Sequence, residues 1–446
     1  MTTPPRFPPI AALLAAGLAL SAAAATPPPG SPLSLSDAIA IARRASPAAA
    51  AAQARAHASE EQAHAASLFW APDLAIDSVW DRTEVPARAF AQKLNRGEFT
   101  ASDFALDNLN SPGFDANLET TFGMRLPLDL FGAGRSGKAA AEAAARAEGA
   151  RAEATEADVD LETVRAYFGV READRTAAAA DASVAAAREL ERAVTAQKES
   201  GSALEADVLR VRTRRRQREV DAARARAQTE LSRSRLRLQL GWPADAAVSL
   251  SSEPDAEPPR VPLEEWLERA EAGNPDLAAA TAAAEVPAAF ERRARAAGRP
   301  TLQLFGGWQD DRNTLSHGQG SATVEMRLHW ALWDPSRSAR NTAAADAARA
   351  GREGRRVAAD SVRLDVEARW RDLEVARLEA VAAADGRREA GEVYRVSHER
   401  WEAGRAALAD LLDAESAAAA AEAAEARASI RVALAQAVLE RAAGKK

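Results

Sequence analysis

The 446 residues contain no cysteine. That excludes a disulfide scaffold, a thiol nucleophile and thiolate metal ligation, and no lipid attachment through an N-terminal Cys is expected. Aromatic side chains are scarce at 5%, while alanine is roughly a quarter of the chain, so much of the 47% apolar share is methyl groups. Such a composition favours long helices packed closely along their lengths over a thick core. Positive charge is not in excess either: the formal net charge is −7. A nucleic-acid partner is therefore not expected, because phosphate contacts need a basic surface. Beyond residue 25 no run approaches the ~18 apolar residues of a membrane-spanning helix. Residues 1–25 read as an export signal, with Arg6 ahead of the apolar stretch Ile10 to Leu20 and the small residues Ser21 to Ala25 as a cleavage site. An exported chain of this kind is periplasmic, secreted or an outer-membrane β-barrel.

The remainder contains itself twice. A shift of 228 superposes Leu35 on Leu263, Pro47 on Pro275, Pro72 on Pro300 and Trp80 on Trp308; a shift of 202 to 203 superposes Leu126 on Leu328, Gly201 on Gly404 and Asp207 on Asp410. The difference is an insertion in the first copy between Trp80 and Asn117, in the polar, turn-rich segment around Phe90 to Gly113. The first repeat runs over 26–242, with strands at about 72–82 and 117–131 and a helical hairpin at about 134–240. A proline-rich linker (243–262) leads to the second repeat (263–446), with strands at about 300–310 and 321–333 and a hairpin at about 336–443. Each repeat opens with a helix, roughly Ser36 to Ser67 and Leu263 to Ala297.

Strict alternation marks the strands. Leu118, Phe122, Met124, Leu126 and Leu128 face one way while Glu119, Thr121 and Arg125 face the other; Ala322, Val324, Met326 and Leu328 repeat this against Thr323, Glu325 and Arg327. The rest is uninterrupted helix, with no proline between Pro127 and Pro243 or after Pro335. The ~65 residues from Arg135 to Ser200 would reach about 100 Å at 1.5 Å per residue, longer than an ordinary domain, so each stretch is expected to fold back near its middle at Gly201 or Gly404. About ten residues per strand, apolar on one side, suits an outer-membrane barrel. A sheet in lipid must close, and four strands cannot. Three chains would give twelve strands and an open bore, so a homotrimer is expected.

These residues resemble the TolC family of outer-membrane efflux and secretion ducts. The resemblance rests on Leu33-Ser-Leu-Ser-Asp-Ala-Ile, on Asn274-Pro-Asp-Leu opening the second copy, on the doubled strand and hairpin plan, and on the two hairpin tips. It implies a mainly α protomer with four strands, a trimer with a twelve-stranded outer-membrane barrel in lipid, and a periplasmic α-helical barrel. It further implies a periplasmic membrane-fusion adaptor and an inner-membrane efflux pump as partners. No nucleophile, base and orienting acid stand at a workable spacing, so neither catalysis nor a cofactor is expected. The tips read Gly201-Ser202-Ala203-Leu204 and Gly404-Arg405-Ala406-Ala407, and the resemblance makes these the adaptor-docking residues. Both copies place Asp six residues after Gly. Capping of the next helix is one reading of Asp207. Asp410 and Asp413 share a helical face at i, i+3, so a trimer would stack two rings of carboxylates; the family implies that they form the pore constriction. Trp401 matches an aromatic that in the family latches the closed entrance to the acid of the other tip, here Asp207, although Ala406 stands where a basic partner is expected.

Other patterns carry less. Phe131-Gly132-Ala-Gly134-Arg-Ser-Gly137-Lys138 imitates a phosphate loop, but the strand before it alternates and the second copy has Asp334-Pro335-Ser336 instead. The Arg212 to Arg218 cluster reads as a solvated helix face, and the five histidines are scattered. A soluble periplasmic coiled-coil adaptor, a type I protein-secretion duct and a nonspecific porin remain as alternatives.

Overall fold

The computed structural model describes residues 32–251, 260–313 and 318–444. The expected signal and part of the linker lie outside the described residues. In the first repeat β1 (Pro32–Leu33), α1 (Leu35–Ala45) and α2 (Pro47–Ser67) lead to β2 (Asp73–Thr83). Two short helices follow, α3 (Pro86–Asn95) and α4 (Leu106–Asn110), then β3 (Asp115–Leu128), α5 (Ala133–Glu199) and α6 (Glu205–Leu240). The linker carries β4 (Ser249–Leu250), and the second repeat holds α7 (Leu263–Gly273), α8 (Pro275–Ala296), β5 (Thr301–Arg312), β6 (Gly318–His329), α9 (Arg337–Glu402) and α10 (Leu408–Ala442).

Two expectations need correcting. The opening helix of each repeat is two helices, broken at Ser46 and at Asn274. Proline disfavours the helical region for the residue before it, and Ser46 (ψ 117°) and Asn274 (ψ 122°) are both extended. Asn274 then caps α8, its side chain accepting from the Leu277 N–H at 2.8 Å while its Nδ2 donates to the Ala442 carbonyl at 2.7 Å. The hairpins are also unequal: α5 has 67 residues against 36 in α6, and α9 has 66 against 35 in α10. The glycine ends the long arm and does not mark a midpoint.

The chain divides into two compact units, each drawn from both repeats. One comprises Pro47–Asp158, Pro259–Val375 and Ala435–Lys446; the other Met1–Ser46, Val159–Pro258 and Ala376–Leu434. The first holds an antiparallel sheet in the order β2-β3-β5-β6, in which the repeats join through β3 and β5. Its register sorts the alternation onto two faces. One row aligns Ile76, Phe122, Trp308 and Ala322, another Leu74, Met124, Gly306 and Val324; the row between them is Ala75, Gly123, Gly307 and Thr323, and the next is Asp77, Thr121, Gln309 and Ser321. Even-numbered residues therefore make a mainly apolar face and odd-numbered ones a mainly polar face, with Arg82, Asp310 and Arg312 as charged exceptions near the end remote from α5 and Phe305 as an apolar exception on the polar face. The apolar face is bare: Leu74 is 73% and Val324 80% exposed. Both β2 and β6 are edges with one neighbour each.

The second unit holds both hairpin tips. Its packing is thin, as the alanine content requires, and it is reinforced by bulky residues where arms meet. Tyr167 is buried and donates to the Leu33 carbonyl at 3.2 Å, beside the parallel pairing of β1 with β4. The Arg43 guanidinium holds the Asp160 carboxylate through two nitrogens.

Candidate functional site: the hairpin tips

Both tips turn in the same way. Gly201 (φ +81°) donates to the Lys198 carbonyl at 2.9 Å and Ser202 to that of Gln197 at 2.8 Å. Gly404 (φ +66°) donates to Trp401 at 2.9 Å and Arg405 to Arg400 at 2.7 Å. These paired bonds form a Schellman closure, whose left-handed residue is the one place where glycine has no steric cost. A Cβ at either position would meet nothing within 4 Å, so the backbone angle sets the requirement and not crowding.

The tips pack on each other through one apolar cluster. Leu190 and Val194 of α5, Val208 and Val211 of α6, Trp401 of α9, and Leu408 and Leu411 of α10 are buried together, with Ala203, Ala406 and Tyr394 against them. Trp401 is thereby only 8% exposed. Burial pushes the Tyr394 phenol up from its usual pKa, and the nearby Glu415 charge adds to this. Ser202, Leu204, Arg405 and Ala407 stay exposed, so each turn offers a short stretch of free surface.

The acids differ between the copies. Asp207 accepts from the Leu204 N–H at 3.3 Å and from Arg210 Nη1 at 3.3 Å, a capping arrangement at the start of α6. The carboxylates of Asp410 and Asp413 are exposed on the opening turns of α10, and neither has a hydrogen bond or ion pair among the described residues. No hydrogen bond joins Asp207 to Trp401 within the chain among the described residues: the ring fills the cluster and the carboxylate caps its helix. At the first tip Lys198 pairs with Glu205 and holds that carboxyl below the usual carboxylate range.

One residue that sequence reasoning missed is Glu415. It is 5% exposed and accepts from Arg214 Nε at 3.3 Å and Arg218 Nε at 3.2 Å, while Arg214 also reaches the Leu412 carbonyl at 3.4 Å. Two arginines of the expected solvated face thus turn inward and bind one hairpin to the other. The sequence carried a signal for this: the repeat shift of 203 sets Glu415 opposite Arg212, a reversal of charge at equivalent positions.

Comparison with known proteins follows the same lines. Residues 38–242 match the model of the outer membrane efflux protein family. No curated protein gives a significant match. Among solved structures, the outer membrane protein VceC of Vibrio cholerae superposes with a TM-score of 0.75 at 16% identity, covering 92% of this chain and 96% of that one. The CmeC outer membrane channel of Campylobacter jejuni gives 0.75 at 15% identity, over 92% and 85%. The open state of the MtrE outer membrane channel of Neisseria gonorrhoeae gives 0.74 at 21%, over 92% and 88%.

Proposed function

We propose that this chain, TolC-type by its fold and by the sequence of its first repeat, is the outer-membrane duct of a tripartite export system and works as a homotrimer. The observation that carries this reading is the four-stranded sheet with a bare apolar face and two unpaired edges. In water such a sheet would aggregate, and in lipid its edges would leave backbone groups unsatisfied. Pairing β6 of one copy with β2 of the next, three times over, removes every edge and keeps the antiparallel alternation intact around twelve strands. A soluble coiled-coil adaptor has no use for that face, so the adaptor reading is set aside. The protein conducts and does not catalyse.

In this reading the tips form the periplasmic entrance. The exposed residues Ser202, Leu204, Arg405 and Ala407, carried on the turns of Gly201 and Gly404, receive the periplasmic adaptor, with Ala203 and Ala406 anchoring the turns from below. An inner-membrane pump supplies the substrate. Asp410 and Asp413 make the acidic constriction, since their carboxylates are free while that of Asp207 is engaged; Asp207 and Trp401 hold the tips in shape. Three copies set six like charges around one axis, an arrangement that attracts cations. In planar bilayers the purified trimer should conduct, and Asp410→Ala combined with Asp413→Ala should raise single-channel conductance severalfold and weaken block by divalent and trivalent cations. Unchanged conductance and block would remove the gating role, and a monomer in detergent would remove the duct.

A further inference from the structure

Between β2 and β3 the first repeat carries residues 84–114, for which the second has only a short connection. This insert is folded. Phe90, Phe99 and Phe104 meet edge to face with ring centroids 4.4, 5.0 and 6.4 Å apart, a partly exposed aromatic cluster that ties α3 to the 3-10 turn Ala101–Phe104.

Its attachment across the sheet runs mainly on one face, the exception being Arg82 of β2 on the other face, whose guanidinium lies over the Phe114 ring at 5.0 Å. On β2, Asp81 accepts from Gln92 Nε2 at 2.9 and 3.0 Å and pairs with Arg88 at 3.1 Å. On β3, Arg96 donates to both oxygens of Asp115 at 2.8 and 2.9 Å and to Asn117 Oδ1 at 3.2 Å. Asn117 passes the contact to Asp311 of β5 at 2.7 Å, and Asn313 just beyond β5 donates to Glu98 at 2.7 and 2.8 Å. On β6, Gln319 lies so close to Gly97 that a Cβ there would collide with its side chain. Apart from Arg82, these strand residues are odd-numbered and therefore belong to the polar face. They sit at the strand ends remote from α5 and α9. The Arg96 side chain is 1% exposed and Asp311 likewise 1%, so the contact is a dry, charge-paired joint. A buried guanidinium with several acceptors is costly to release.

We infer that this insert is a lid seated inside the outer mouth of the duct, a second constriction in series with the acidic entrance. The inference rests on the trimeric barrel, in which the polar face lines the bore. Twelve strands spaced ~4.8 Å apart and tilted ~40° enclose a bore only about 24 Å across between backbones. A helix with its side chains is ~10 Å wide, so three inserts held against the inner wall fill most of the exit. Release of substrate then requires the inserts to swing out, and the Arg96 joint sets how readily they do so.

The test uses the absence of native cysteine. A cysteine at Thr121, on the polar face of mid-β3, is exposed to maleimides added outside intact cells, one small and one carrying a bulky polyethylene-glycol chain. The bulky reagent should label Thr121→Cys about tenfold faster when residues 86–113 are replaced by a short Gly/Ser link, and at an intermediate rate in Arg96→Ala, which leaves the strands untouched. Equal bulky-reagent rates in the parent and in Arg96→Ala would overturn the lid, whether or not the deletion assembles. Failure of the small reagent to reach Thr121→Cys in any of them would instead sink the barrel reading itself.

Discussion

The two hairpin tips descend from one plan and solve it with different chemistry. Position for position, the ion pair of Lys198 with Glu205 at the first tip corresponds to Trp401 with Leu408 at the second, where both side chains are buried. Arg212 corresponds to Glu415. Asp207 is spent on its own helix start, whereas its equivalent Asp410 is free. The turn, by contrast, is the same to the hydrogen bond. Repetition has therefore kept the backbone and allowed the side chains to specialise: both hairpins share the buried cluster, but the first tip adds an ion pair and a capping acid, while the second adds the buried tryptophan and the unengaged carboxylates.

That contrast can be broken most severely at Trp401. Trp401→Ala should lower stability by about 3 kcal/mol, because the ring is buried against residues of both tips and leaves a cavity between them. Lys198→Ala, at the equivalent position, should barely move the melting temperature. Glu415→Gln comes next, with a loss of about 2 kcal/mol; removing one partner of a buried ion pair costs more than this, but Arg214 is 31% exposed and water relieves part of the penalty. Asp207→Ala should cost about 0.5 kcal/mol at the α6 start and leave conductance alone, the reverse of the Asp410 and Asp413 variants. Thermal unfolding in detergent, read beside bilayer recordings, separates the two. The smallest effect is a pH dependence at the first tip. Because Lys198 depresses the Glu205 carboxyl, its contribution is present above the ordinary glutamate range and is lost as pH falls through the lowered value. Glu205→Gln should accordingly be slightly less stable than the parent at pH 7 and indistinguishable from it in strong acid.

Much of the fold was legible because it follows from short-range rules. A period of two cannot be mistaken when Leu118 to Leu128 and Ala322 to Leu328 alternate so regularly, and glycine is the natural residue for the left-handed turn that ends α5 and α9. Pro47 and Pro275 carry the signal for the breaks before them, but with alanine-rich helix following each proline the pattern reads as one helix. What escaped depended on partners far away in the chain. Glu415 meets Arg214 and Arg218 some two hundred residues earlier, and nothing local distinguishes those arginines from solvated neighbours. The insert between β2 and β3 looked like a polar loop for a related reason. Its acids, asparagines and Arg96 are polar because they face one another, and that face exists only once four strands stand side by side.

The open edges β2 and β6 carry a final consequence for the living cell. In the proposed trimer each copy needs two others to close its sheet, so one faulty copy harms more than itself. A subunit shortened before β6 still offers a sound β2 to a healthy neighbour, joins it, and then presents nothing for the ring to close upon. Co-production of such a fragment should poison the assembly of intact copies, and genetic dominance of this kind is written into the topology of the sheet.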